Sequence, residues 1–179
     1  MTKEPVLHIM VTAMFLVASV ALGLLPGVAG AVAARFLPAL FSAVLVSILC
    51  GPFYGTLLGV LSPLLLWILF QETPFVRSIP AEILFSAFAG LTSGILYTVL
   101  RTGLGATLAG ILSGTVIYGL AQVFTALAEG VTYDLAVFGK EAFLTVWPGL
   151  LLTAAAVPLL IVWFRRVGVM RVMRHERMI

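Results

Sequence analysis

FLPALFSAVLVSILCGPFYGTLLGVLSPLLLWILFQ, residues 36–71, carries no charged side chain and has Gly51-Pro52 near its middle. The hydrocarbon core of a bilayer is about 30 Å thick, and one helix crosses it with about 20 apolar residues. The stretch is long enough for two crossings. Gly-Pro is a turn signal, so the sequence reads as a helical hairpin that enters the membrane, turns tightly and returns. The fold follows from this reading, because the rest of the chain repeats it. Uncharged runs also cover 5–34, 83–100, 102–128 and 142–164.

Six spans result, at about 6–25, 36–50, 53–70, 81–100, 103–128 and 142–164, followed by a basic tail over 165–179. The expected fold is all-α: a polytopic membrane protein whose residues 1–179 form a single six-helix transmembrane bundle. The chain is 62% hydrophobic and 9% charged, against about 25% charged in a soluble domain, which leaves no room for a separate soluble domain. A transmembrane barrel would alternate apolar and polar residues along each strand, and no such alternation occurs. Val6–Leu25 exceeds the usual signal-peptide core of about 7–15 apolar residues, so the first segment is expected to be a span.

Orientation comes from Lys and Arg in the short connections. With the N-terminus inside, Lys3, Arg101, Arg165, Arg166, Arg171, Arg174 and Arg177 face the cytoplasm, and only Arg35, Arg77 and Lys140 face outward. Both termini are therefore expected to be cytoplasmic. Glu72, Glu82, Glu129, Asp134 and Glu141 fall on the outer side. Inner turns are minimal, at Gly51-Pro52 and Arg101-Thr102-Gly103, whereas the outer connections 26–35, 71–80 and 129–141 are longer. Loops on a rigid scaffold commonly carry function, so a site opening outward is expected.

Small residues recur at helical spacing: Gly51, Gly55 and Gly59; Gly90 and Gly94; Ala106, Gly110 and Gly114. Such stripes let membrane helices approach closely and are read as packing seams within the bundle. In the first helix Ala13, Ala18, Ser19 and Gly23 could serve the same purpose or dock against another chain. No internal repeat supports a large inverted-repeat transporter.

The polar residues that remain are the candidates for solute binding. Glu82 opens the fourth span, where a carboxylate can favour the helix N-terminus or point into a solute cavity. Gln71, Glu72 and Arg77 share the loop before it. Gln122 lies inside the fifth span, where an amide needs a partner: an interhelical hydrogen bond or a ligand. Trp147, like Trp67, lies near an outer helix end, the place of interfacial anchors, with stacking on a ring ligand as the other reading. Arg35 and Lys140 are outer cations that meet headgroups or an anionic solute. The tail RRVGVMRVMRHERMI suits an anionic inner leaflet better than nucleic acid. His8 and His175 lie far apart, Cys50 is the only cysteine, and no cluster has metal-ligand spacing. Phosphate-loop, GxSxG and HExxH motifs are missing. No enzyme activity, metal or cofactor is expected, and any ATP use falls to another subunit.

LPALFSAVLVSILCGPFYGTLLGVLSPLLLWILF (residues 37–70), a Pro-containing loop and AFAGLTSGILY (residues 87–97) resemble the substrate-binding S components of energy-coupling factor (ECF) vitamin transporters, most closely the pantothenate-type members. The resemblance implies a six-helix subunit of a bacterial or archaeal plasma membrane, with a vitamin-like solute held near the outer face. It also implies a first helix that meets a transmembrane coupling subunit, and a pair of ATPase subunits that drive uptake. Gly90 and Gly94 fit the pattern of the fourth helix, while Phe85 and Ala89 stand where polar residues are usual, which leaves the solute open. The alternative is a scaffold of the rod-shape, wall-elongation machinery. That family's second span typically opens Pro-Asp, where this chain has Pro38-Ala39.

Overall fold

A computed structural model describes residues 3–23, 38–70, 79–130 and 147–174. Among them the chain is all-helical. Six principal helices follow in order: α1 (Lys3–Gly23), α2 (Pro38–Cys50), α3 (Pro52–Phe70), α4 (Ile79–Leu100), α5 (Gly103–Ala128) and α6 (Trp147–Val167), with a short α7 (Val169–Arg174) after them. Four are long and apolar enough to cross a membrane, at Pro52–Leu69, Ile79–Leu100, Gly103–Ala128 and Trp147–Val167; Val6–Leu22 and Pro38–Cys50 are shorter apolar helices. Every helix among the six overlaps an expected span. The expected sixth span began at 142, but residues 142–146 lie outside the described residues, as do 24–25 at the end of the first.

The chain's own punctuation sets these boundaries. Proline opens α2 and α3 and is the second residue of α4 and α6. In the first turn its missing N–H would have had no intrahelical partner anyway, and its fixed φ suits the helix. At the other ends the backbone enters the left-handed region. Gly51, at φ 110°, ends α2 with its N–H on the Ser47 carbonyl at 3.0 Å, and Pro52 starts α3 at once. The Gly51-Pro52 hairpin is thus as expected. Gly168, at φ 83°, ends α6 and turns the chain back into α7. Arg101 ends α4 at φ 54° without being glycine, a conformation that costs an L-residue roughly 1–2 kcal/mol.

The shortest principal helix sits in the middle. From Ser42 to Cys50 every residue of α2 is buried, and α2 meets α1, α3, α4, α6 and α7. A helix that is apolar all round belongs in such a position. Around it α3, α4 and α5 are joined by seams of small residues. A methyl group on Gly59 would lie 2.6 Å from the Ser86 backbone, one on Gly90 2.8 Å from the Gly55 carbonyl oxygen, and one on Gly110 2.7 Å from the Ala89 carbonyl oxygen. On Gly114 it would meet the Phe85 carbonyl oxygen at 2.8 Å. The backbones therefore touch, and the expected seams fall inside the bundle. Gly51 is the exception: it serves the turn, and no atom lies within reach of a methyl group there.

Hydroxyl groups stitch the same seams. Ser47 Oγ donates to the Gly90 carbonyl across α2 and α4, and Ser19 and Ser62 share a 2.6 Å hydrogen bond between α1 and α3. The outer faces of α1, α5 and α6 present large apolar side chains, among them Met14, Val17, Leu112, Phe124 and Leu159, as lipid-facing helices do.

The first part of the tail packs back on the bundle. Met170 is 1% exposed and belongs to the core, and His8 Nε2 makes a 2.9 Å hydrogen bond with the Met173 carbonyl. Residues 169–174 therefore close the end of the bundle. Arg171 and Arg174 sit on this closing helix, and the rest of the tail lies outside the described residues.

Candidate functional site

The bundle has two ends. The turn end holds the Gly51 and Arg101-Thr102 turns; the loop end is where α3, α5 and α6 begin or finish beside the longer connections. The turn end is fastened by a network. Arg165 Nη2 on α6 donates to the Tyr97 hydroxyl at 2.8 Å and to the Arg101 carbonyl at 2.7 Å, with its guanidinium 5.7 Å from the centre of the Tyr97 ring. This holds the left-handed Arg101 turn in place. His8 stacks edge-on against Tyr54 at 5.3 Å, and α7 covers what remains.

Polar groups at the loop end are arranged differently. The Gly110–Ala89 and Gly114–Phe85 approaches fix the antiparallel register of α4 and α5. That register puts Glu82, in the first turn of α4, level with Tyr118 on α5. The Phe85 and Tyr118 rings meet edge-to-face at 6.1 Å, and Gln122 Nε2 donates to the Tyr118 hydroxyl at 3.0 Å. Gln122 is buried. Its partner in this bond is one turn back on its own helix. The Glu82 side chain is half-buried, and its backbone carbonyl accepts from Ser86 Oγ at 3.1 Å. Among the described residues no cation or hydrogen-bond donor meets the Glu82 carboxylate. An ionisable group in the first turn of an apolar helix is a candidate for a functional role.

Of the expected solute-binding residues, Glu82 and Gln122 are brought to one end of the α4–α5 seam. Trp147 opens α6 at the same end of the bundle and is 54% exposed, as is usual for an interfacial anchor. Arg35, Gln71, Glu72, Arg77 and Lys140 lie outside the described residues. In the first helix Ala13 and Ala18 face outward, whereas Ser19 is buried against Ser62; its hydroxyl is spent inside the bundle. Gly23 ends α1 at the loop end.

Two residues at this end escaped the sequence reading. Tyr118 supplies both a ring for Phe85 and a hydroxyl for Gln122; the Tyr-x-x-x-Gln spacing on a helix was its signal. Thr153 is fully buried on α6, and its hydroxyl has no hydrogen-bond partner among the described residues. No group of three or more His, Cys, Asp or Glu suited to a metal occurs among the described residues. No family model, no curated protein and no solved structure matches this chain.

Proposed function

We propose that this chain is the solute-binding membrane subunit of an ECF-type importer, taking up a vitamin-like small molecule. In this reading all six principal helices span the plasma membrane of a bacterium or archaeon, both termini are cytoplasmic, and the loop end faces outward. The observation that carries the proposal is the division of polar groups between the two ends. Side chains at the turn end are tied to one another, while at the loop end the half-buried Glu82 carboxylate, which has no partner among the described residues, stands beside an aromatic pair and a buried amide that bonds the Tyr118 hydroxyl.

Solute enters at the loop end, beside Glu82, Phe85, Tyr118 and Gln122. The close-packed α2–α5 unit behaves as a rigid body, because separating helices in backbone contact means losing many dispersion contacts at once. Transport by such a body requires moving it as a whole, which is the role assigned to a transmembrane coupling subunit and two ATPase subunits. The outward face of α1, with Ala13 and Ala18, is the surface assigned to the coupling subunit. The chain itself carries out no chemistry.

The test is affinity purification of the tagged full-length chain from its own host membranes, with partners identified by mass spectrometry. Stoichiometric recovery of a coupling subunit and two ATPases is the expected result. Recovery of wall-synthesis proteins in their place would refute the proposal and favour the scaffold.

A further inference from the structure

The network at the turn end leaves two exposed cations outside it. Arg165 is committed to the clasp, where it holds the Tyr97 hydroxyl and the Arg101 carbonyl. That second bond takes the backbone of Arg101 and not its side chain. The guanidinium of Arg101, and that of Arg166 next to Arg165, are exposed and meet no acid among the described residues. The helices reaching this end carry Lys3, Arg101, Arg165, Arg166, Arg171 and Arg174 against one acid, Glu4. Glu82 and Glu129 stand at the other end. Cations gathered in this way draw an anion.

The backbone of Arg101 adds a separate observation. The other left-handed residues of the described chain are Gly51, Gly130 and Gly168, and glycine adopts that conformation without steric cost. Arg101 adopts it at φ 54°. Glycine would make the same turn without strain and would keep the carbonyl that Arg165 uses. What arginine supplies there is a charged side chain at the rim. Cations also suit helix C-termini through the helix dipole, a role that would show as stability.

The surroundings say which anion fits. Leu100 and Leu104, on either side of the turn, are 50% and 54% exposed, and Trp163, three residues before Arg166, is 55% exposed. Tryptophan near the end of an apolar helix marks a membrane interface, and the exposed leucines suit acyl chains. Cations beside such a surface match a ligand with a charged head and apolar tails. We propose that Arg101 and Arg166 hold the phosphate of an anionic phospholipid at the rim shared by α4, α5 and α6. The planar fork of arginine pairs with phosphate oxygens two at a time. This lipid site belongs to the folded bundle, and it stands without the importer-subunit reading.

The experiment titrates the full-length protein, in neutral detergent, with phosphatidylglycerol and separately with phosphatidylcholine of the same acyl chains. Retained lipid is counted by native mass spectrometry, inorganic phosphate is added as a competitor, and melting temperature is measured on lipid-free protein. Phosphatidylglycerol is expected to be retained in preference. Arg101→Gly and Arg166→Gln are each expected to raise its half-saturating concentration about fivefold, the worth of one cation at an anionic surface. The lipid-free melting temperature of Arg101→Gly is expected to stay level or rise. Lys3→Gln, on α1, is expected to bind like wild type. Equal retention of the two lipids overturns the proposal, as does unchanged binding by both arginine variants. A loss in Lys3→Gln as large as theirs overturns it too, since the whole end would then act as diffuse charge. A lower lipid-free melting temperature for Arg101→Gly assigns that guanidinium to the fold and removes it from the site. Displacement of the lipid by inorganic phosphate overturns the lipid assignment in favour of a free anion. None of these results bears on the importer-subunit reading.

Discussion

Gly90→Ala puts the α3–α4 seam to a direct test. The new methyl carbon would lie 2.8 Å from the Gly55 carbonyl oxygen and 2.9 Å from its carbonyl carbon. Both are backbone atoms of α3, so neither can rotate away. Reaching ordinary contact at 3.4 Å requires the helices to part by 3.4 − 2.8, or 0.6 Å. A gap of that size forfeits about a quarter to a half of each dispersion contact along the seam, and overpacking of this kind costs about 1–3 kcal/mol. The Ser47 hydroxyl also bonds the Gly90 carbonyl, and disturbing that bond adds about 1 kcal/mol. Alanine's better helix propensity returns about 1 kcal/mol. The net expectation is a loss of about 2 kcal/mol, or about 30-fold in the unfolding equilibrium. SDS titration of the protein in mixed micelles, followed by circular dichroism, measures it. Gly103→Ala is the control, because its methyl meets only the flexible end of the Ile161 side chain, at 3.0 Å. A Gly90→Ala protein that resists SDS as well as wild type would refute the argument from backbone contact.

Further outcomes follow from the turn end and the central helix. Tyr97→Phe removes the hydroxyl that accepts from Arg165 and is expected to cost about 1 kcal/mol. In a double-mutant cycle with Arg165→Met the same SDS titration should return a coupling of at least about 0.5 kcal/mol, and additivity would show that the pair does not act together. The Cys50 side chain is buried in α2, so a membrane-permeant maleimide should leave it unlabelled until SDS unfolds the bundle. Rapid labelling of the native protein would contradict the central position of α2.

The helices were legible because long uncharged stretches have few ways to satisfy their backbone in a membrane, and because Gly51-Pro52 marks the turn between two of them. The seams were legible too, since close approach needs small residues at four-residue spacing. Which stripe meets which was not: Gly51, read both as turn and as seam residue, serves the turn alone, whereas Gly55 and Gly59 meet Ser47 and Ser86. The central place of α2 left no amphipathic signature, because a helix buried on every side is apolar on every side. At the loop end the polarity of Glu82 and Gln122 stood out in the sequence. Thr153 did not, because an orphan hydroxyl shows only once its neighbours are placed. The Arg165 clasp joins residues 64 and 68 positions apart, a separation that no local pattern encodes.

The clasp between His8 and the Met173 carbonyl bears on the order in which the protein is made. α1 is made before α7, so the seal between them cannot form until residue 173 has been synthesised. Truncation before residue 170 would remove both the plug and the latch. A chain stalled there would carry its principal helices and still lack the segment that meets His8.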